Sequence, residues 1–198
     1  MQFTTAAKLL AEFLGTAMIV AGVIGAGFMV ATVGAGFALG LTMIAATVAA
    51  VLFVSISILG PVSGAHFNPA VTIAFLLRKA ISSAAAAGYI ASQVVGAIFG
   101  AVVANLMFEV PWLEISATGR FSAGTFLGEV VATFGLVLLI LLLVKFEKSH
   151  LIAASVAAWI FAGHIFTSST SFANPAVTIG RVFSDSAASI SPDSALWF

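Results

Sequence analysis

The residues best able to do chemistry in this chain come in a duplicated set. Asn-Pro-Ala-Val-Thr-Ile occurs at 68–73 and again at 174–179. Pro69 and Pro175 suit the first turn of a helix, where no backbone N–H is required. Asn68 and Asn174 then fall at the N-cap, where a side-chain oxygen takes up free backbone N–H groups. With the oxygens committed in this way, the amide N–H groups are left to donate to a passing oxygen atom. Each helix start also carries roughly half a positive charge. Two such starts aimed at one point orient water or a hydroxylated solute and repel cations, a hydronium ion included. No nucleophile–base arrangement or metal-ligand cluster accompanies them, so an enzyme is not expected, nor a cofactor. The absence of cysteine excludes disulfides and thiolate metal sites.

The elements that must position these motifs follow from composition. The chain is 62% hydrophobic and 7% charged, whereas a soluble domain carries about 25% charged residues. The apolar runs therefore face lipid and each other. Full spans are expected at about 8–29, 36–59, 84–107, 122–144 and 151–168. The first begins near Lys8 without a convincing cleavage site and reads as a true span. Segments 61–79 and 169–185 each carry one motif after a Gly/Ser/Thr-rich stretch and are too short to cross, so both are expected to be re-entrant half-helices. Matching broken helices of this kind point to two related halves, 1–107 and 120–198, in one all-α membrane domain spanning 1–198. Lys8, Arg78, Lys79, Lys145 and Lys148 fall on one side and Arg120 and Arg181 on the other, which places the N-terminus in the cytoplasm. The half-helices then enter from opposite faces and meet by their N-termini. Ser191-Pro192-Asp193-Ser194 reads as a helix start close to Phe198. A three-plus-three repeat would need a sixth span there, so the second half is expected to be C-terminally incomplete.

The motifs together resemble the aquaporin, or major intrinsic protein, family. Ala11-Glu12-Phe13-Leu14-Gly15-Thr16, Ser63-Gly64-Ala65-His66-Phe67-Asn68-Pro69-Ala70-Val71-Thr72, Gly128-Glu129-Val130-Val131-Ala132-Thr133 and the second Asn-Pro-Ala, Asn174-Pro175-Ala176, carry the resemblance. It implies an inverted repeat with two half-helices, a homotetramer with one pore per subunit, and passive flow of small uncharged solutes through a bacterial inner membrane. It also implies that Glu12 and Glu129 accept backbone N–H groups from the two pore loops. A proton relay through these acids lacks a chain of titratable partners. The lipid bilayer, solutes and water are the expected partners, and no nucleic acid is.

The resemblance also exposes a departure. Most family members carry Arg directly after the second Asn-Pro-Ala, and this chain has Val177. Register carried over from the family assigns the remaining filter positions to Val48, Ala162 and Ser171. That set contains no aromatic ring, no His and no Arg, and implies a wide, apolar constriction. His164 lies ten residues before Asn174 instead of twelve, and is expected to serve helix packing or the vestibule. His66 reads as a loop-packing or a pore-lining residue. Arg181 has two readings: a positive charge in the outer vestibule, or a half-helix end paired with Asp185. Val177 followed by Gly180-Arg181 also resembles bacterial members found with arsenic-resistance genes. The expected cargo is therefore glycerol-like polyols, neutral metalloid hydroxides such as arsenite, and water, with protons and ions excluded. The alternatives are a water-selective pore with an unusual filter and a truncated, non-conducting membrane protein. Gly36/Gly40 and Gly96/Gly100 form small-xxx-small pairs, which close helix packing explains.

Overall fold

A computed structural model describes residues 3–198. Among them, five helices are long and apolar enough to cross a membrane. They are α1 (Thr5–Thr32), α2 (Phe37–Ser63), α4 (Ser83–Met107), α5 (Ala123–Lys145) and the continuous stretch Ser149–Phe166, in which a 3₁₀ turn at Ser149–Leu151 leads into α6 (Ile152–Phe166). Two short helices, α3 (Pro69–Leu77) and α7 (Pro175–Arg181), follow α2 and α6, and a last turn, α8, covers Pro192–Ala195. Side-chain caps from Thr4, Ser82 and Ser122 start α1, α4 and α5. Each takes up a backbone N–H that the helix itself leaves free.

One boundary differs from expectation. Gly60-Pro61 does not break α2, which continues to Ser63. Pro61 sits in the final turn, and Gly64, at φ 90°, closes the helix with its N–H on the Gly60 carbonyl. The helix therefore ends where a left-handed residue is free of steric cost. The re-entrant helix begins only at Pro69, after the five-residue loop 64–68.

The packing follows the duplication. α1 packs on α2, and α5 on α6; α2 and α6 pack on each other between the halves. α3 touches α5 of the other half, and α7 touches α1 in the same sense. Small residues permit the closest approach. A β-carbon on Gly96 or Gly100 would strike the backbone carbonyls of Phe13 and Ala17 on α1. Gly36 does not belong to such a seam. It caps α2, and nothing lies within 4 Å of where its β-carbon would stand.

Candidate functional site

The two motifs fold alike and interlock. Asn68 Oδ1 accepts from the Ala70 N–H at 2.8 Å, and Asn174 Oδ1 accepts from the Ala176 and Val177 N–H groups at 3.1 and 3.3 Å. Pro69 and Pro175 occupy the first helical turns. Each asparagine then donates from Nδ2 to the loop of the other half. Asn68 reaches the Ala173 carbonyl at 2.7 Å, and Asn174 reaches the Phe67 carbonyl at 2.8 Å. Each amide retains one further N–H, and both asparagines line a common cavity of about 600 Å³. Two helix N-termini thus face one space from opposite directions.

The loops ahead of the motifs share a backbone pattern. Ala65 and Phe67 in one, and Ser171 and Ala173 in the other, have φ between 48° and 50°. A left-handed non-glycine residue costs roughly 1–2 kcal/mol, so the surroundings must hold these turns. Two buried carboxylates do. Glu12 Oε1 and Oε2 accept from the His66 and Phe67 N–H groups at 3.0 and 2.7 Å. Glu129 Oε1 and Oε2 accept from Phe172 and Ala173 at 2.9 and 2.7 Å. Glu12 gains Ser63 Oγ at 2.6 Å and Gln93 Nε2 at 2.8 Å. With the N–H groups tied outward, the loop residues 64–67 and 171–173 line the cavity.

His66 does both things proposed for it. Its Nδ1 lies 3.1 Å from Thr72 Oγ1, its ring packs on Phe75 and Tyr89, and it also lines the cavity.

The cavity wall differs from the register carried over from the family. Val48, Ser171 and Val177 line the cavity together. Ala162 does not: it is exposed on the outside of α6, and Ile152, Ala153, Val156, Ile160 and His164 provide that helix's lining. On a helix of 3.6 residues per turn, 156, 160 and 164 share a face, while 162 lies on the opposite side. His164 is 3% exposed. Its Nδ1 is 2.8 Å from the Ile160 carbonyl. Facing an acceptor, Nδ1 carries the proton, so Nε2 of the neutral ring is an acceptor. Nε2 and the buried Ser171 Oγ have no protein partner. Both residues line the cavity, but the two atoms themselves are buried within its wall.

Arg181 likewise lines this cavity. It is not paired with Asp185, which lies past the end of α7 and accepts from Ser116 Oγ at 3.1 Å. Instead Arg181 Nε donates to the Ala188 carbonyl, and its guanidinium lies 3.3 Å from the centre of the Phe172 ring. Among the described residues no group of His, Cys, Asp and Glu is placed to hold a metal ion.

Comparison with known proteins agrees with this geometry. The family model for the major intrinsic protein matches residues 1–187. The chain is 41% identical to aquaglyceroporin AqpS of Rhizobium meliloti over 96% of its own length and 82% of that protein's. It is 37% identical to the glycerol uptake facilitator protein-like 6 of Lactiplantibacillus plantarum, over 68% of this chain and 62% of that one. In fold it is similar to the aquaglyceroporin from Plasmodium falciparum, with a TM-score of 0.75 over 89% of this chain and 79% of the other, at 24% identity. Duplicated motif, interlocked half-helices and sequence relatives all lead to one assignment: the chain belongs to the major intrinsic protein family of multi-pass membrane channels.

Proposed function

We propose that the cavity is a passive conduction pathway for uncharged solutes larger than water, namely glycerol-sized polyols and neutral metalloid hydroxides such as arsenite, with water passing too. One observation carries this reading: the cavity wall sets Val48, Val177 and Ile160 together with the two motif asparagines, whose amides each keep one N–H for a solute oxygen. A polyol presents hydroxyls to the asparagines and carbon to the apolar residues, whereas an ion would lose its hydration against valine without replacement. The opposed half-helix starts at Asn68 and Asn174 add a positive field at mid-path that disfavours cations and protons. The names of the bacterial relatives, an aquaglyceroporin and a glycerol facilitator-like protein, support the same solute class. The reading includes a homotetramer with one pore per subunit, in a bacterial inner membrane with the N-terminus in the cytoplasm.

The second reading, a water-selective pore, is favoured by His164, because an imidazole on the lumen narrows it and supplies the ring that the sequence register left out. Stopped-flow swelling of proteoliposomes under water, glycerol and arsenite gradients separates the two. The expected result is glycerol and arsenite flux well above that of empty vesicles. Val177→Arg fills the apolar side with a guanidinium, and should cut glycerol and arsenite flux at least tenfold relative to water, a change of about 1.4 kcal/mol in barrier. Water flux alone in the parent chain would establish the second reading. Unchanged solute ratios in Val177→Arg would remove Val177 from the constriction.

A further inference from the structure

Beside the lumen, at its α7 end, lies a second cavity of about 130 Å³, with Arg120, Arg181, His164 and Thr170 on one wall and an apolar wall from the end of α1 and the start of α2, Val30 and Ile44 among it. That is room for about four waters at their ~30 Å³ share of the liquid. Two guanidiniums reach it from different parts of the chain. Arg181 is 3% exposed, yet among the described residues it hydrogen-bonds only from Nε, to the Ala188 carbonyl, and its terminal nitrogens meet no acceptor there. Arg120, from the loop before α5, donates from Nε to the Ser189 carbonyl at 2.6 Å and from Nη2 to Ala187 at 2.8 Å. Three consecutive carbonyls, 187 to 189, thus hold the two side chains next to each other. Both lie over one ring: the guanidinium carbons are 5.7 and 3.3 Å from the centre of Phe172. They are therefore at most about 9 Å apart, close to one Debye length. Neither makes a salt bridge among the described residues: Glu129 acts on Arg181 through space but spends its oxygens on the Phe172 and Ala173 N–H groups, and Asp185 accepts from Ser116 Oγ.

Two like charges held together by backbone carbonyls and a ring face, with donors to spare and no directly bonded carboxylate among the described residues, form an arrangement that an anion completes. We propose that this cavity is a binding site for one small oxyanion, of the phosphate or sulfate class, bridging Arg120 and Arg181. Guanidinium forks match oxyanion geometry and form the stronger, charge-assisted hydrogen bonds. Because His164 and Arg181 line both cavities, a bound anion stands over the lumen and obstructs it. The site itself is independent of what the lumen conducts; only the obstruction rests on the channel reading.

The test uses the purified chain in phosphatidylcholine vesicles with labelled inorganic phosphate. Saturable binding of one phosphate per chain is expected, displaced by sulfate and not by chloride at equal ionic strength. Arg120→Gln and Arg181→Gln should each weaken it roughly tenfold or more, the scale of a lost hydrogen bond to a charged group; Arg120→Lys should retain part of it. Vesicles containing phosphatidylglycerol distinguish the sources. Weakened phosphate binding there makes a lipid headgroup the competing oxyanion at the same site, and equal binding makes the free ion the occupant. No saturable binding to the parent chain in either lipid, or binding untouched by both glutamine substitutions, overturns the site. Phosphate binding without slower glycerol swelling would overturn the obstruction and leave the site standing.

Discussion

Glu12 and Glu129 show how single residues hold this pathway. A carboxylate is acceptor-only when ionised, and each meets two loop N–H groups that point away from the lumen. Replacing either by glutamine turns one acceptor into a donor facing another donor. A buried donor left unsatisfied costs about 1–3 kcal/mol. Glu12 also receives Ser63 and Gln93, so Glu12→Gln should lower the melting temperature in detergent more than Glu129→Gln does. Equal melting of Glu12→Gln and the parent chain would show that the left-handed loop is held by other contacts. These acids stood out in the sequence because they are charges in apolar spans, and the asparagines because their motif is duplicated. The constriction was less legible. Counting twelve residues back from Asn174 gives Ala162, a count that assumes a fixed loop length between α6 and the motif. The loop here runs from Thr167 to Ala173 through left-handed turns at Thr170, Ser171 and Ala173. The better signal was polarity: a histidine inside a span belongs on the lumen face, and His164 shares that face with Ile160 and Val156.

At the scale of elements, two kinds of glycine look alike in sequence and differ in the fold. Gly96 lets α4 approach α1 until a β-carbon would meet the Phe13 carbonyl. Backbone cannot swing aside as a side chain does, so Gly96→Ala forces the helices apart. Overpacking of this kind costs about 1–3 kcal/mol. Gly36 stands at the N-cap of α2 in open space, and serine is a better cap than glycine. Gly36→Ser should therefore be neutral or slightly stabilising, while Gly96→Ala should reduce both yield and melting temperature. Similar losses in the two variants would mean that the α1–α4 seam is not the closest contact in the bundle. The five spans were readable because about 20 apolar residues have few other uses. Their ends were not, because α2 keeps Pro61 within its last turn and stops at the positive-φ glycine three residues later.

For the whole molecule, the open question of function is which face is which. The fold fixes the relative sides: the 108–122 loop and the α7 end lie opposite the turn between α5 and α6, because α5 crosses once between them. Charge chooses between the two absolute orientations. Lys8, Arg78, Lys79, Lys145 and Lys148 share one side, against Arg120 and Arg181 on the other, and short loops rich in Lys and Arg stay in the cytoplasm. The two minority arginines are also the ones drawn into the vestibule cavity, which removes them from the free loop charge and strengthens the bias. A chain without cysteine allows a direct reading. Glu114→Cys, exposed in the 108–122 loop, should react with a membrane-impermeant maleimide on intact bacterial cells. Glu147→Cys, exposed in the α5–α6 turn, should react only after permeabilisation. The reverse pattern would put the two-arginine mouth in the cytoplasm, and any anion acting there would then come from inside the cell. Labelling of both sites on intact cells would mean mixed insertion, in which case the five-to-two charge difference is too weak to set the topology.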